Sequence, residues 1–345
     1  TTATNNFVAA VGVTSGRNIQ LVDAGAIDLG ASTVTGTLAV TATTGGDITD
    51  SAAISVGGTS TFTAANGQDI ILDSASTYTG TVAFVGTTLA NVTINDSGAF
   101  DLAALTLTGN LSVTSGGAIS DSGVIDVDGT ASFTTGSANI DIDNATGNGL
   151  TGAVSFTTTG TGDVTFDNGT TAINLGTVSV GQNLEVQSGG AITDSGIITV
   201  GGTASFTTDL SDKPITINSQ NAISGQVTFS TTGTDGDVNF DNGTTAISLG
   251  VISTGDIGGD LILQTDVATT ISNAITMNGS GGALSITVDN GNSLNVQAAL
   301  ITNAGAITLS ADDDVIFNAA ADLTSGNGNI SVTADDDATS DAGSG

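Results

Sequence analysis

The side chains able to do chemistry in this chain are almost all carboxylates. Of 34 acidic residues every one but Glu185 is an aspartate, histidine and cysteine are absent, and the only cations are Arg17 and Lys213. A nucleophilic triad needs a titrating base beside its nucleophile, and a thiolate metal site needs cysteine; neither can be assembled here. Two uses of carboxylates remain. Paired acids can cleave glycosidic bonds, and Asp121 with Asp126, or Asp163 with Asp167, are pairs that neighbouring corners of a repeat would bring together. The aromatic and basic groups that grip sugars are nearly missing, however, and Tyr78 is the single tyrosine. By residue type the same aspartates end strands and cap turns. The expectation is a protein that is not an enzyme, with a polysaccharide-cleaving enzyme as the remote alternative.

The second use is a cation column. Asp266, Asp289, Asp312 and Asp335 each stand three positions after an apolar anchor, and those anchors, Leu263, Ile286, Leu309 and Val332, recur at one constant interval. Stacked as strands, the carboxylates would lie about 5 Å apart. Like charges that close favour protonation or a bridging cation, and calcium is the ion that prefers oxygen ligands. The runs Asp312-Asp313-Asp314 and Asp335-Asp336-Asp337 extend the pattern. The glycine-rich nonapeptide of calcium-binding β-rolls is absent, and an exposed row of aspartates is equally a solvated face. No other cofactor is implied.

Any such column needs a repeat to build it, and the chain has one. NLSVTSGGAISDSG at 110–123 returns as NLEVQSGGAITDSG at 183–196, and FDNGTTAINLG at 166–176 returns as FDNGTTAISLG at 240–250. Val40, Val113 and Val186 are equivalent positions, which sets a long period of about 73 residues. Each long repeat subdivides, with anchors at Val40, Phe62 and Phe84, at Val113, Phe133 and Phe156, and at Val186, Phe206 and Phe229. The third step of each triplet is the longest, which suggests a longer third coil, for example Asp163–Gln182, with an extended strand pair or a bulging corner. A unit of about 20–23 residues is too short for a propeller blade and fits one coil of a β-helix.

Within a unit, pieces such as Leu111-Ser112-Val113 and Val124–Val127 alternate apolar with hydroxyl or acidic residues, as half-buried strands do. Gly, Asn, Asp and Ser lie between them and allow tight corners. Phe133 over Phe156, and Phe206 over Phe229, should stack inside as a ladder. Threonine ranks at Thr157-Thr158-Thr159 and Ser230-Thr231-Thr232 raise a flat ice-binding face, although uneven coil lengths argue against a regular lattice. Lys213-Pro214 aligns with Ile140-Asp141 with no insertion between the copies, and a corner or strand start is expected there, where a missing donor is tolerated.

The fold class expected is therefore all-β, a single-stranded right-handed parallel β-helix (β-solenoid) of about 14 coils, the hand following the general preference of parallel crossovers. One continuous solenoid covers 1–337, with long three-coil repeats at about 38–110, 111–183 and 184–260, regular coils at 261–337, and a polar tail or linker at 338–345. A competing array of β-sandwiches would need more aromatics and has no place for the short subperiod. Composition agrees, because 38% of residues are hydrophobic and only 10% charged, unlike a disordered chain. A net charge of −32 opposes binding to nucleic acid. No apolar run is long enough to insert into a membrane.

With the phrases SGGAITDSG, VGGTASFTT and GDVTFDNGTTAI in hand, the chain resembles the filamentous-haemagglutinin-like large exoproteins and related β-strand-repeat adhesins of Gram-negative bacteria, over residues 7–337. The resemblance implies a right-handed β-helix, export to the cell surface or beyond, and a part in adhesion or extracellular fibres. The expected partners are neighbouring repeats of the same protein or further copies stacked head to tail. A calcium-dependent ligand-binding adhesin module is the alternative, and no receptor or glycan is named by the residues.

Overall fold

The computed structural model describes residues 5–144, 147–253, 255–277 and 281–334. Among them every regular element is a short strand, and there is no helix. The chain divides into two compact units, 1–169 and 170–345, and within each the strands pair in parallel, coil upon coil. The solenoid expected from the repeat, of about 14 coils, is what forms.

Alternation drives it. In the strand Leu38–Ala42, Leu38, Val40 and Ala42 are buried while Ala39 and Thr41 are half-exposed. Inward residues stack on their equivalents in the next coil. In the first unit one interior column runs Ile27, Ile48, Ile70, Val92, Leu111, Ala131, Val154. In the second it runs Ile173, Ile192, Ile215, Val238, Leu261, Leu284, Ile307, Ile330. The anchors Leu263, Ile286, Leu309 and Val332 fall in one register, as their spacing requires.

The aromatic ladder forms too. Phe133 and Phe156 stack with ring centroids 5.6 Å apart and planes at 16°, and Phe206 and Phe229 repeat this at 5.9 Å and 18°. Phe62 and Phe84 stack at 6.2 Å. Corners are tight enough to demand glycine. A Cβ on Gly152 would lie 2.1 Å from the carbonyl oxygen of Gly129 in the coil before, so no other residue fits there.

The long third step is not a long coil. Val113 stacks on Ile94 and not on Phe84, the anchor that precedes it in sequence. Leu263 likewise stacks on Phe240 and not on its preceding anchor Phe229. Both pairings span an ordinary coil. Each copy of the long repeat thus occupies the next face of its unit. Leu111 joins the column of Ile48 and leaves that of Leu38; Leu261 joins the column of Ile192 and leaves that of Leu184. The extra residues are the chain advancing by one face. The segment expected to bulge instead supplies ordinary strands, Val164–Asp167 on Ile140–Ile142 and Ile173–Val180 under Ile192–Asp194 and Ile198–Val200.

Pro214 immediately precedes the strand Ile215–Ile217, as a residue without a donor should. The alignment shifts by two, however. Ile215 pairs with Ile192 as Ile140 pairs with Ile119, so the third copy carries two more positions between these strands, where Ala204–Ser211 runs longer than Ala131–Thr135.

Because Phe156 is fully buried, stacks on Phe133 and lies 5.3 Å from Phe166, Phe156→Ala should cost about 3–5 kcal/mol. Val85, 44% exposed, should tolerate alanine within about 0.5 kcal/mol. Urea unfolding followed by circular dichroism separates the two; equal losses would contradict an aromatic core.

Candidate functional site

Of the four column aspartates, three are described and stand in register. Asp266, Asp289 and Asp312 extend the row Thr265, Val288, Ala311 by one residue, and the amides of Asp289 and Asp312 bond to Thr265 and Val288 of the coils before. Asp335, with Asp336 and Asp337, lies outside the described residues. The carboxylates are half-exposed and turn to different donors. Asp289 Oδ2 accepts from Gln264 Nε2 at 2.9 Å, Asp312 Oδ2 from the Gly291 amide at 3.2 Å, and Asp313 Oδ2 from Ser293 Oγ at 2.6 Å. Among the described residues no three acidic side chains converge as metal ligands.

In the first candidate acid pair the two carboxyls turn to different surroundings. Asp126 points outward from the strand Ile125–Val127, whereas Asp121 tucks against Asn148. Asp167 Oδ1 accepts the Gly169 amide at 2.8 Å and closes a turn in which Gly169 takes φ +57°. The threonine ranks do not form a flat outer face. Thr158 and Thr231 are buried and donate to Gly162 and Gly236 carbonyls at 3.0 and 2.6 Å.

What the coils do bring together is a buried polar corner. Where a strand bends, its backbone amide leaves the ladder, and a buried amide without a partner costs about 1–3 kcal/mol. An asparagine from the following coil meets it. In the second repeat Asn148 Oδ1 accepts from the Ile125 amide at 2.8 Å while its Nδ2 donates to Asp121 Oδ2 at 2.9 Å. One coil on, Asn168 accepts from the Leu150 amide at 2.8 Å and donates to the Leu150 carbonyl at 2.9 Å. The third repeat copies this. Asn221 bridges the Ile198 amide and Asp194 Oδ2 at 2.7 and 2.9 Å, and Asn242 holds the amide and carbonyl of Ile223 at 2.9 and 3.1 Å.

Asn168-Gly169 and Asn242-Gly243 read in the sequence as turn dipeptides, and both glycines do adopt positive φ. The asparagines themselves are fully buried caps, which a turn signal does not announce. Asn148 and Asn221 carry no motif; their only signal is recurrence at the interval of the long repeat, just before an apolar strand.

Burial raises the carboxyl of Asp121 above its ordinary value in spite of the Asn148 amide. It raises Asp241 too, where the charges of Asp266, Asp289 and Asp194 add to the effect. Asp141 is raised by burial and by Asp143. A carboxyl raised in the folded state binds protons more tightly there than in the unfolded chain. Its stabilising effect is complete below the unfolded value near 3.8 and is lost as pH climbs through the folded value. The melting temperature should therefore fall as pH rises from about 4 to 7, and Asp121→Asn with Asp241→Asn should flatten that slope. An unchanged slope in scanning calorimetry would assign it to surface repulsion alone.

The sequence matches the family described as repeats of unknown function (DUF5649) three times, at residues 16–85, 89–157 and 161–230. The starts of successive matches keep the spacing of the long repeat to within one position. No curated protein and no solved structure matches the chain.

Proposed function

Proceeding from a chain that belongs to the DUF5649 repeat family, we propose that this structural β-solenoid is the stalk or filament segment of a secreted bacterial surface protein, and that it lengthens by stacking on further coils. Those coils come from neighbouring repeats of the same protein or from a second copy. The observation that carries the reading is the unbroken register: Ile192, Ile215, Val238, Leu261, Leu284 and Ile307 stack in successive coils, and each is fully buried. Any further coil in the same register extends such a column, covering the apolar row and pairing the strand edges.

The outer surface supports a structural role. It presents mainly Thr, Ser, Asn and Asp, and a net charge of −32 keeps rods apart sideways while disfavouring nucleic acid. Carboxylates that could act as acids or bases are spent on corners or solvated, which favours a non-catalytic protein. The resemblance to large exoproteins supports a location at the cell surface or outside the cell.

Electron microscopy of the purified chain at physiological salt, with and without millimolar calcium, tests the stacking. Unbranched fibres one solenoid wide are expected; short single rods in both conditions would overturn self-stacking. Protease treatment of intact source cells tests the location. Peptides of this chain should be released without lysis, and recovery only after lysis would place it inside.

A further inference from the structure

The first repeat carries different side chains at the buried corner. Asp50 ends its strand as Asp121 and Asp194 end theirs. Ser76 Oγ accepts from the Ile54 amide at 3.0 Å, the bond that Asn148 makes to Ile125 and Asn221 to Ile198. Asp96 Oδ1 accepts from the Tyr78 amide at 3.3 Å, the bond that Asn168 makes to Leu150 and Asn242 to Ile223. Both amide donors have therefore gone. A hydroxyl and a second carboxylate stand in their places, and Tyr78 brings a phenol where the other copies have Leu150 and Ile223.

The exchange leaves polar atoms stranded. Asp96, Ser76, Tyr78 and Asp50 are 1, 1, 4 and 8% exposed. Asp96 Oδ1 is satisfied by Tyr78 and by the Gly98 amide at 3.0 Å, and Asp50 Oδ1 by the Ser74 amide at 3.2 Å. Asp96 Oδ2 and Asp50 Oδ2 have no hydrogen-bond partner, and the buried Tyr78 hydroxyl has the Ser76 side chain within hydrogen-bonding reach. Asp121 also keeps one unmatched oxygen, but its other is held by the Asn148 amide. These groups share one neighbourhood. Burial pushes the Tyr78 hydroxyl well above its ordinary value; the nearby Ser76 opposes this, and the charges of Asp50 and Asp96 push it further. Burial raises both carboxyls as well, and Asp73 adds its charge to Asp50. The strand Ile70–Tyr78 bulges at this point, so that Asp73, Ser74 and Ala75 span what Asn95 alone spans in the next coil.

We propose that this corner of the first repeat binds a hard cation of the calcium class, with Asp50 and Asp96 as charged ligands and the hydroxyls of Ser76 and Tyr78 as neutral ones. Every available ligand atom is oxygen, the set such ions select. A dication would neutralise two buried carboxylates whose charges both bear on the Tyr78 phenol. In the second and third repeats the asparagine amide answers the same need without an ion. This site is separate from the outward Asp266, Asp289, Asp312 column and does not depend on the stalk reading.

The chain holds its own reporter. Tyr78 is the only tyrosine and there is no tryptophan, so terbium, which takes calcium's oxygen ligands, should luminesce through tyrosine excitation when bound beside Tyr78. Titration of the full chain with terbium should give saturable sensitised emission that millimolar calcium displaces. Asp96→Asn should weaken the apparent affinity at least about tenfold. Ser76→Asn, which restores the amide that the other two repeats carry and so suits the fold, should abolish it. Asp289→Asn, in the outer column, should leave it unchanged. Absence of saturable emission, or emission indifferent to Asp96→Asn and Ser76→Asn, would overturn the proposal.

Discussion

Parallel strands hydrogen-bonded coil to coil place each residue against its own counterpart, and the remaining features follow from that register. An isolated coil of about 20 residues buries almost nothing on its own, so its apolar side chains count only when a neighbour covers them. Once the register is set, Phe133 must meet Phe156 and Asp289 must meet Asp312. Like on like is favourable inside, where aromatic rings stack and aliphatic columns exclude water. It is unfavourable for charge, which explains why the aspartate row in the second unit stays at the surface, with Asp289 and Asp312 turning to Gln264 and Gly291.

The corners pose the opposite problem. The ladder that satisfies the backbone along a face lapses at each bend, and the amides freed there are buried. Asparagine solves this because one side chain offers an acceptor and a donor at once. Asn168 and Asn242 use both ends on a single residue of the coil before, while Asn148 and Asn221 spend the donor on a neighbouring aspartate. At the same places serine keeps an acceptor and a single hydroxyl donor on a shorter arm, and an ionised aspartate keeps the acceptor but has no donor. The backbone is still served in the first repeat, and the deficit is moved to Asp50, Tyr78 and Asp96.

Much of this was legible in the residues, and the limit has a physical cause. Period-two alternation and the recurrence of the long repeat suffice for strands, coils and the phenylalanine ladder, because those depend on residue type alone. Which face a repeat occupies depends on how many residues one coil consumes. Val113 and Phe84 share a sequence role, yet they lie on different faces because the chain turns a further corner between them. The same blindness hid Asn148 and Asn221, whose partners Ile125 and Ile198 lie a full coil earlier in the chain. Asn-Gly pairs read as turns were correctly placed, but the glycine carried the turn and the asparagine carried the cap.

A repeat of this kind offers its own control experiment, since each corner is built several times on nearly the same backbone. Where all copies agree, as at Gly129 and Gly152 packed against the preceding carbonyl, the residue answers to the fold. Where one copy departs, the fold has not changed but the local balance of donors and acceptors has. The first repeat departs at Ser76, Tyr78 and Asp96 together, and Ser60, also without a partner, stands where Ala131 and Ala204 stand later. The three polar replacements at one corner are costly if they act singly. They become compatible with a stable coil when a positive charge or shared donor completes them, and this joint requirement makes the first repeat chemically distinct from its successors.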